Sequence, residues 1–357
     1  MSDSPRRRAE RFSRVLGLRV PVLMAPMAGA CPVPLAAAVS AAGGMGACGA
    51  LLMEPAAIAR WAAAFRAASD GSFQMNLWVP DPAPNRDPEH EAAVQSFLGR
   101  WEPEAAELDA TLPVDFDAQC EALIEARPAV ASSIMGLFPP PVVERLKARG
   151  TRWFAVATTV GEAVAAAEAG ADAIVAQGME AGGHRGAFDA DLAEERQVGL
   201  LSLVPAVADA VRVPVIATGG IADARGVAAA LVLGASAVQV GTALLRSPEA
   251  GIVPAWADAI GAARPEDTVP TRAFSGRVGR SLITNYVAAA SQGDAPRPLP
   301  YPLQRSATGP MRASGVQAGD LARLQAWAGQ SAGLARAVVA GETVESMWEG
   351  AKVLLRD

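Results

Sequence analysis

A parallel (β/α)8 barrel is the fold that this sequence predicts, with a smaller helical domain built from an insertion and a C-terminal extension. Three observations predict it. Short apolar, β-rich runs alternate with Ala-rich segments of helical pattern, the order that gives a parallel sheet with crossover helices. Eight such runs fall between residues 20 and 243. Several helical segments end in glycine, where a helix C-cap sits. An open, doubly wound sheet of similar strand count is the alternative architecture.

The first two strands are expected at residues 20–27 and 45–50, around a helix at 35–42. No charged residue occurs from Val20 to Met53, a stretch long enough to span a bilayer. Four prolines (Pro21, Pro26, Pro32, Pro34) and five glycines (Gly29, Gly43, Gly44, Gly46, Gly49) break it into short pieces, so buried strands are expected instead. A helix at 55–68 precedes the third strand at 73–79. The rhythm then breaks. Residues 80–128 are rich in Pro, Asp and Glu and too long for a βα connection, which reads as an insertion with one or two helices. Strands resume at 130–136, 153–159, 173–177, 214–219 and 237–243, separated by helical patterns at 141–149, 161–169, 200–210 and 224–233. The barrel is thus expected over 15–250. The extension, 251–357, should be helical over 320–355 and form, with the insertion, a lid or small domain over the barrel mouth.

Hydrophobic residues make up 51% of the chain and charged residues 19%, enough for a large interior. A net charge of −6 without long charge runs offers no basic patch to nucleic acid or an anionic membrane, so neither partner is expected. The triplet Arg6, Arg7, Arg8 reads as a solvated N-terminal tail, with no apolar stretch after it to make a secretory signal. Cys31, Cys48 and Cys120 are too few and scattered for a disulfide framework or a Cys-x2-Cys metal site. A reducing, cytoplasmic location with no metal is the expectation.

Active sites of such barrels lie at the C-terminal strand ends, and the loops after strands 7 and 8 often bind phosphate. Here Gly219-Gly220 follow the seventh strand, and Gln239-Val240-Gly241-Thr242 end the eighth. Glycine permits close approach, and free backbone N–H groups can point at an anion. Each pair alone also suits a tight turn; together they suggest a cradle. After the sixth strand runs Gln177-Gly178-Met179-Glu180-Ala181-Gly182-Gly183-His184-Arg185-Gly186. His184, one of two histidines, could serve as a general base near neutral pH or be a loop histidine bonded to backbone. His90 lies in the acidic insertion and reads as a surface residue. Ala25, Pro26 and Met27 end the first strand without charge, suiting either core or the flat face of an aromatic cofactor. Asn76 and Gln177 offer amides that could bond such a ring or a phosphate edge.

Together the segments PVLMAPMAG, GGMGACGA, FQMNLW, QGMEAGGHRG, PVIATGGIAD, AVQVGTALL, SGRVGRSLITN, YPLQR and WAGQSAGLAR resemble the nitronate monooxygenase family over nearly the whole chain. The resemblance implies a (β/α)8 barrel with noncovalent FMN at the strand ends and a second, smaller helical domain. It implies Ala25, Pro26 and Met27 beside the isoalloxazine, with Asn76 and Gln177 bonding its polar atoms or ribityl chain. Gly182, Gly183, Gly219, Gly220, Gln239, Gly241 and Thr242 would surround the phosphate and its approach, and His184 would be the catalytic histidine. The implied partners are a nitronate or nitroalkane and O2, the products a carbonyl compound and nitrite; a homodimer is compatible. Arg185 and Arg277 could attract an anionic substrate but read as surface or structural residues. NADH-dependent enoyl-thioester and quinone reductases share these motifs and form the second reading. A flavin-binding protein without turnover is the third. IMP dehydrogenase-like barrels carry a similar glycine pair but need a cysteine after a middle strand, where none is found.

Overall fold

The computed structural model describes residues 4–103, 108–109 and 114–355. Eight parallel strands form one sheet: β1 (Val22–Met24), β2 (Gly46–Gly49), β3 (Phe73–Trp78), β4 (Val130–Ile134), β5 (Arg152–Ala157), β6 (Ala173–Gln177), β7 (Val215–Thr218) and β8 (Ala237–Val240). Neighbours pair in chain order from β2 to β8, and β8 pairs β1 in register Val22↔Val238. A single parallel bridge, Leu23↔Met45, closes the ring between β1 and β2. The sheet is therefore a barrel and not an open, doubly wound sheet. The strands are shorter than the apolar runs that encode them, because the ends of each run continue into the loops.

The interior has two layers of different chemistry. Leu23, Met45, Val130, Phe154, Val156, Val175 and Ile216 fill the lower layer with apolar side chains. Its floor is a helix, Pro5–Val15, whose Phe12 enters the cluster and meets Phe154 at 6.3 Å between ring centroids. The arginine triplet expected as a solvated tail lies on this helix. Ser4 caps its N-terminus, and Arg8 Nε donates to the carbonyl of Ala235 at 3.1 Å. The upper layer is amide-rich: Gln74 of β3 donates across the lumen to Gln239 Oε1 of β8 at 3.0 Å, which fixes both side chains inside.

Small residues on the outer helices let them pack closely on the sheet. Buried Ala163 and Ala166 on Val160–Glu168 and Ala228 and Ala230 on Ala224–Val232 are examples. Two parts of the sequence reading change here. Helix Phe116–Ala126, expected inside the insertion, buries Cys120, Leu123 and Ile124 in the main core and is the outer helix after β3. Likewise the last helix, Ala340–Leu354, packs between Ala224–Val232 and Val33–Ala41 and completes the ring after β8. Residues 320–339, expected to be helical, contain only the short 3-10 turn Ala332–Leu334. The chain thus leaves the barrel after β3 and again after β8, and returns each time as the missing outer helix.

The two excursions meet. Val94, Phe97 and Leu98 of helix Pro88–Leu98 pack with Phe274, Tyr286, Leu299, Leu303 and Met311 from the second excursion. That second excursion also carries an antiparallel pair, β9 (Thr268–Thr271) and β10 (Gly279–Leu282). The two-residue strand Gly183–His184 from the loop after β6 joins its edge, with Gly279 opposite His184 and Arg280 opposite Gly183. The loop is thereby tied to the structure above the barrel mouth.

Candidate active site

His184 is held from several sides. Gln177, at the end of β6, donates from Nε2 to the His184 carbonyl at 3.0 Å and accepts the Gly186 N–H at 2.7 Å on Oε1. Both ends of this amide shape the loop, and each keeps one unused hydrogen-bonding position among the described residues. The imidazole Nε2 shares a hydrogen bond of 2.7 Å with Ser275 Oγ, a fully buried hydroxyl that also reaches the Arg277 carbonyl at 3.3 Å. Trp78 and Trp327 meet the ring edge-on at 4.8 and 5.1 Å. Tyr301 stacks on the Trp78 indole at 4.8 Å.

This packing sets the charge state of the histidine. Burial pushes its pKa down from the ordinary 6.5 to about 3, and the positive charges of Arg305, Arg277 and Arg312 add to the effect. The imidazole is neutral at physiological pH, with a lone pair to offer. Arg277, only 1% exposed, is paired with Asp81 and donates to the Ala187 carbonyl. Arg185 is 7% exposed and donates to the carbonyls of Thr158 and Arg196. Both arginines are buried structural groups, and the surface alternative falls away. Arg305 is different: half-buried on helix Leu303–Ala307, it forms no ion pair or side-chain hydrogen bond among the described residues. Arg312 donates only to neutral oxygens of Arg305, Thr308 and Gln325. The field around the histidine is accordingly positive.

The glycines anticipated as a cradle are brought together. Gly219 and Gly220 follow β7 with φ of +113° and +67°, conformations that disfavour any side chain. Gly241 ends β8, and a Cβ there would sit 3.1 Å from Met27 Sδ and 3.3 Å from Ala25 Cβ, so the β1 and β8 ends touch. The N–H groups of Gly219, Gly220 and Gly241 donate to no partner among the described residues. Backbone donors without partners among the described residues, on two adjacent strand ends lined by glycine, fit a phosphate group. They do so without the next helix, since Asp223 already accepts the Arg225 and Gly226 N–H groups at the start of Ala224–Val232.

A third wall was not foreseen as part of the site. Residues 328–331, within the quoted segment WAGQSAGLAR, lie across the glycine loops. Gly329 N donates to Thr242 Oγ1 at 3.1 Å, Gln330 N to the Glu180 carbonyl at 3.0 Å, and Ser331 Oγ to the Gly220 carbonyl at 2.7 Å. Gly182 packs so tightly beneath them that a Cβ would lie 2.5 Å from Gly329 N. Gly183, with φ +73°, makes the turn into His184. Asn76 donates from Nδ2 to Ser132 O and Oγ, both at 3.0 Å, and keeps Oδ1 free of donors among the described residues. Gln239 is engaged with Gln74, whose own Oε1 is buried without a partner. Ala25, Pro26 and Met27 are half-buried, held from below by Cys31 Sγ, which accepts the Met27 N–H at 2.9 Å. The groups missed in sequence are Ser275, Trp78, Trp327, Tyr301 and Arg305. Each lies in a quoted motif, Trp78 in FQMNLW, Ser275 in SGRVGRSLITN, Tyr301 and Arg305 in YPLQR and Trp327 in WAGQSAGLAR, but none was singled out there. Helix Pro88–Leu98 holds His90 in its first turn, half-buried where a surface residue was expected.

A family model described as nitronate monooxygenase matches residues 10–350. A nitronate monooxygenase from Paraburkholderia phytofirmans is 37% identical, over 97% of this chain and 96% of its own. A probable nitronate monooxygenase from Staphylococcus aureus is 36% identical, over 91% and 92%. Among solved structures, the nitroalkane oxidase from Streptomyces ansochromogenes superimposes with a TM-score of 0.87 at 32% identity, covering 96% of this chain and 100% of that one. FabK from Thermotoga maritima gives 0.75 at 30% identity, covering 97% and 96%.

Proposed function

The chain belongs to the nitronate monooxygenase family, and on that premise we propose that it oxidises alkyl nitronates, such as propionate 3-nitronate, with FMN and O2 to a carbonyl compound and nitrite. It is an oxidoreductase of the flavin-dependent kind that the family comprises. The observation that carries the substrate reading is a neutral His184 inside a positive field from Arg305, Arg277 and Arg312. Such a site favours a small anion and leaves the imidazole free to hold it.

FMN, when bound, would take electrons from the nitronate and pass them to O2. Its phosphate would be held by the N–H groups of Gly219, Gly220 and Gly241, with Thr242 and residues 329–331 forming the wall. Its ring would lie over Ala25, Pro26 and Met27, within reach of Asn76 Oδ1. His184 would remove the carbon-bound proton when a neutral nitroalkane arrives, and would position the anion when a nitronate does. Its pKa of about 3 makes it a weak base in the resting site. The nitronate that forms as the proton leaves carbon lies beside the new imidazolium and stabilises it, which offsets the low resting basicity. Trp78 and Trp327 shield part of the half-buried imidazole from water, which strengthens the charge interactions on that side.

The likeness to FabK favours one second reading, an NADH-dependent reductase on the same barrel. Anaerobic mixing of the FMN-loaded protein with propionate 3-nitronate and, separately, with NADH, distinguishes the two. Bleaching of flavin absorbance by the nitronate without response to NADH is the expected result. Rapid bleaching by NADH alone would move the chain to the reductase reading.

A further inference from the structure

A small recess of about 10 Å³, room for roughly one water-sized occupant, lies against the loop that carries His184, lined by Gln177, Met179, Arg185, Gln197, Val278 and Arg280 among others. Two of these side chains are buried guanidinium groups, with Arg185 7% and Arg280 6% exposed. Neither forms an ion pair with a carboxylate among the described residues. Arg185 uses only Nη2, and its Nε and Nη1 are buried without a partner. Arg280 donates from Nε to the Met179 carbonyl and from Nη1 to Thr268, while its Nη2 finds no acceptor among the described residues. Gln197 adds a half-buried amide with no hydrogen bond of its own among those residues.

Two acidic groups exert a field here, and both are engaged elsewhere. Glu162 accepts the N–H groups of Thr158, Thr159 and Phe188, and Glu180 accepts that of Leu200. Their charges offset the arginines only at a distance, and burial still lowers both guanidinium pKa values. Desolvated cations with unused donors facing a recess call for an acceptor that carries charge. Because Glu162 and Glu180 already supply part of the compensation, one negative charge is enough.

We propose that this recess binds a single small monovalent inorganic anion, a halide or an oxyanion of nitrite size, between the guanidinium groups of Arg185 and Arg280. Its position gives it leverage on the catalytic loop. Arg185 follows His184 directly, and Arg280 is paired with Gly183 across the short antiparallel ladder. An anion shared by the two draws the loop onto β10 and fixes the imidazole above. This assignment is independent of which substrate the flavin site oxidises.

The test uses the full flavin-loaded chain, melted at equal ionic strength in sodium bromide, sodium nitrite or sodium gluconate. A saturable rise in Tm of about 2–3 °C with bromide or nitrite, absent with the bulky gluconate and lost in Arg185→Gln, is expected. A rise with nitrite alone would assign the site to the oxyanion. Equal response to all three salts, or an undiminished response in Arg185→Gln, would overturn the proposal. Crystals soaked in bromide give a reading that needs no variant. An anomalous peak between Arg185 and Arg280 is expected, and a map without one there refutes the site.

Discussion

At the scale of single residues, the histidine environment makes two quantitative demands. Replacing His184 with Asn should leave FMN bound but slow turnover of a neutral nitroalkane by about 10²-fold or more, the usual size of a lost general base. Steady-state rates at fixed flavin content check this, and unchanged turnover would remove His184 from the mechanism. Stability carries the second demand. Below about pH 6.5 the unfolded chain protonates His184, whereas the folded protein does so only near pH 3. The contribution is therefore flat above pH 6.5, and folding stability is lost steadily as pH falls from 6.5 towards 3. Urea midpoints at pH 7, 6 and 5 should fall more steeply for the wild type than for His184→Asn. Arg305 supplies a third. Arg305→Gln should raise KM for a nitronate about tenfold at low salt, with kcat little changed and a shallower salt dependence of kcat/KM. The sequence exposed His184 because two glycines precede it at a strand end. It could not expose Ser275 or Arg305, whose approach to His184 depends on a fold-back of roughly ninety residues or more that no local spacing encodes.

At the scale of elements, the decisive one is the segment 328–331, which closes the glycine loops by backbone contact. Gly182→Ala would place a methyl group 2.5 Å from Gly329 N and 2.6 Å from Ala328 C, positions that backbone cannot vacate cheaply. The variant should keep its far-UV circular dichroism but lose the Thr242 and Ser331 contacts. Its FMN affinity should fall about tenfold, read by flavin fluorescence on titration. Strands were legible because each is a short β-rich run bounded by glycine or proline, as β6 and β8 show. The outer helices Phe116–Ala126 and Ala340–Leu354 were legible as helices but not as barrel members. Their partners, β3 and β8, lie one excursion away in sequence, and periodicity reports a buried face without saying what buries it.

At the scale of the whole molecule, the barrel divides labour between its ends: an apolar lower layer plugged by Phe12, and an amide-rich mouth under the two excursions. Phe12→Ala should therefore destabilise the fold by about 3 kcal/mol or more without touching the flavin site. A lowered urea midpoint with unchanged FMN affinity is the expected pair of results. The (β/α)8 class was legible from alternation alone, because parallel strands need crossovers and crossovers leave their helical signature. Closure was expected from the count of eight βα units, with an open sheet as the alternative, and its last joint is a single bridge between Leu23 and Met45. The bridge rests on Met24 N to the Met45 carbonyl at 2.9 Å and Met45 N to the Val22 carbonyl at 3.2 Å, with Arg19 N and Val20 N donating to the Gly43 carbonyl below it. Every other joint is a ladder of three or more registered pairs. A ring of staves gives way first at its weakest seam, so slow breathing of this molecule should begin between β1 and β2, directly below Ala25 and Met27, and the bed proposed for the flavin ring would then also be its escape route.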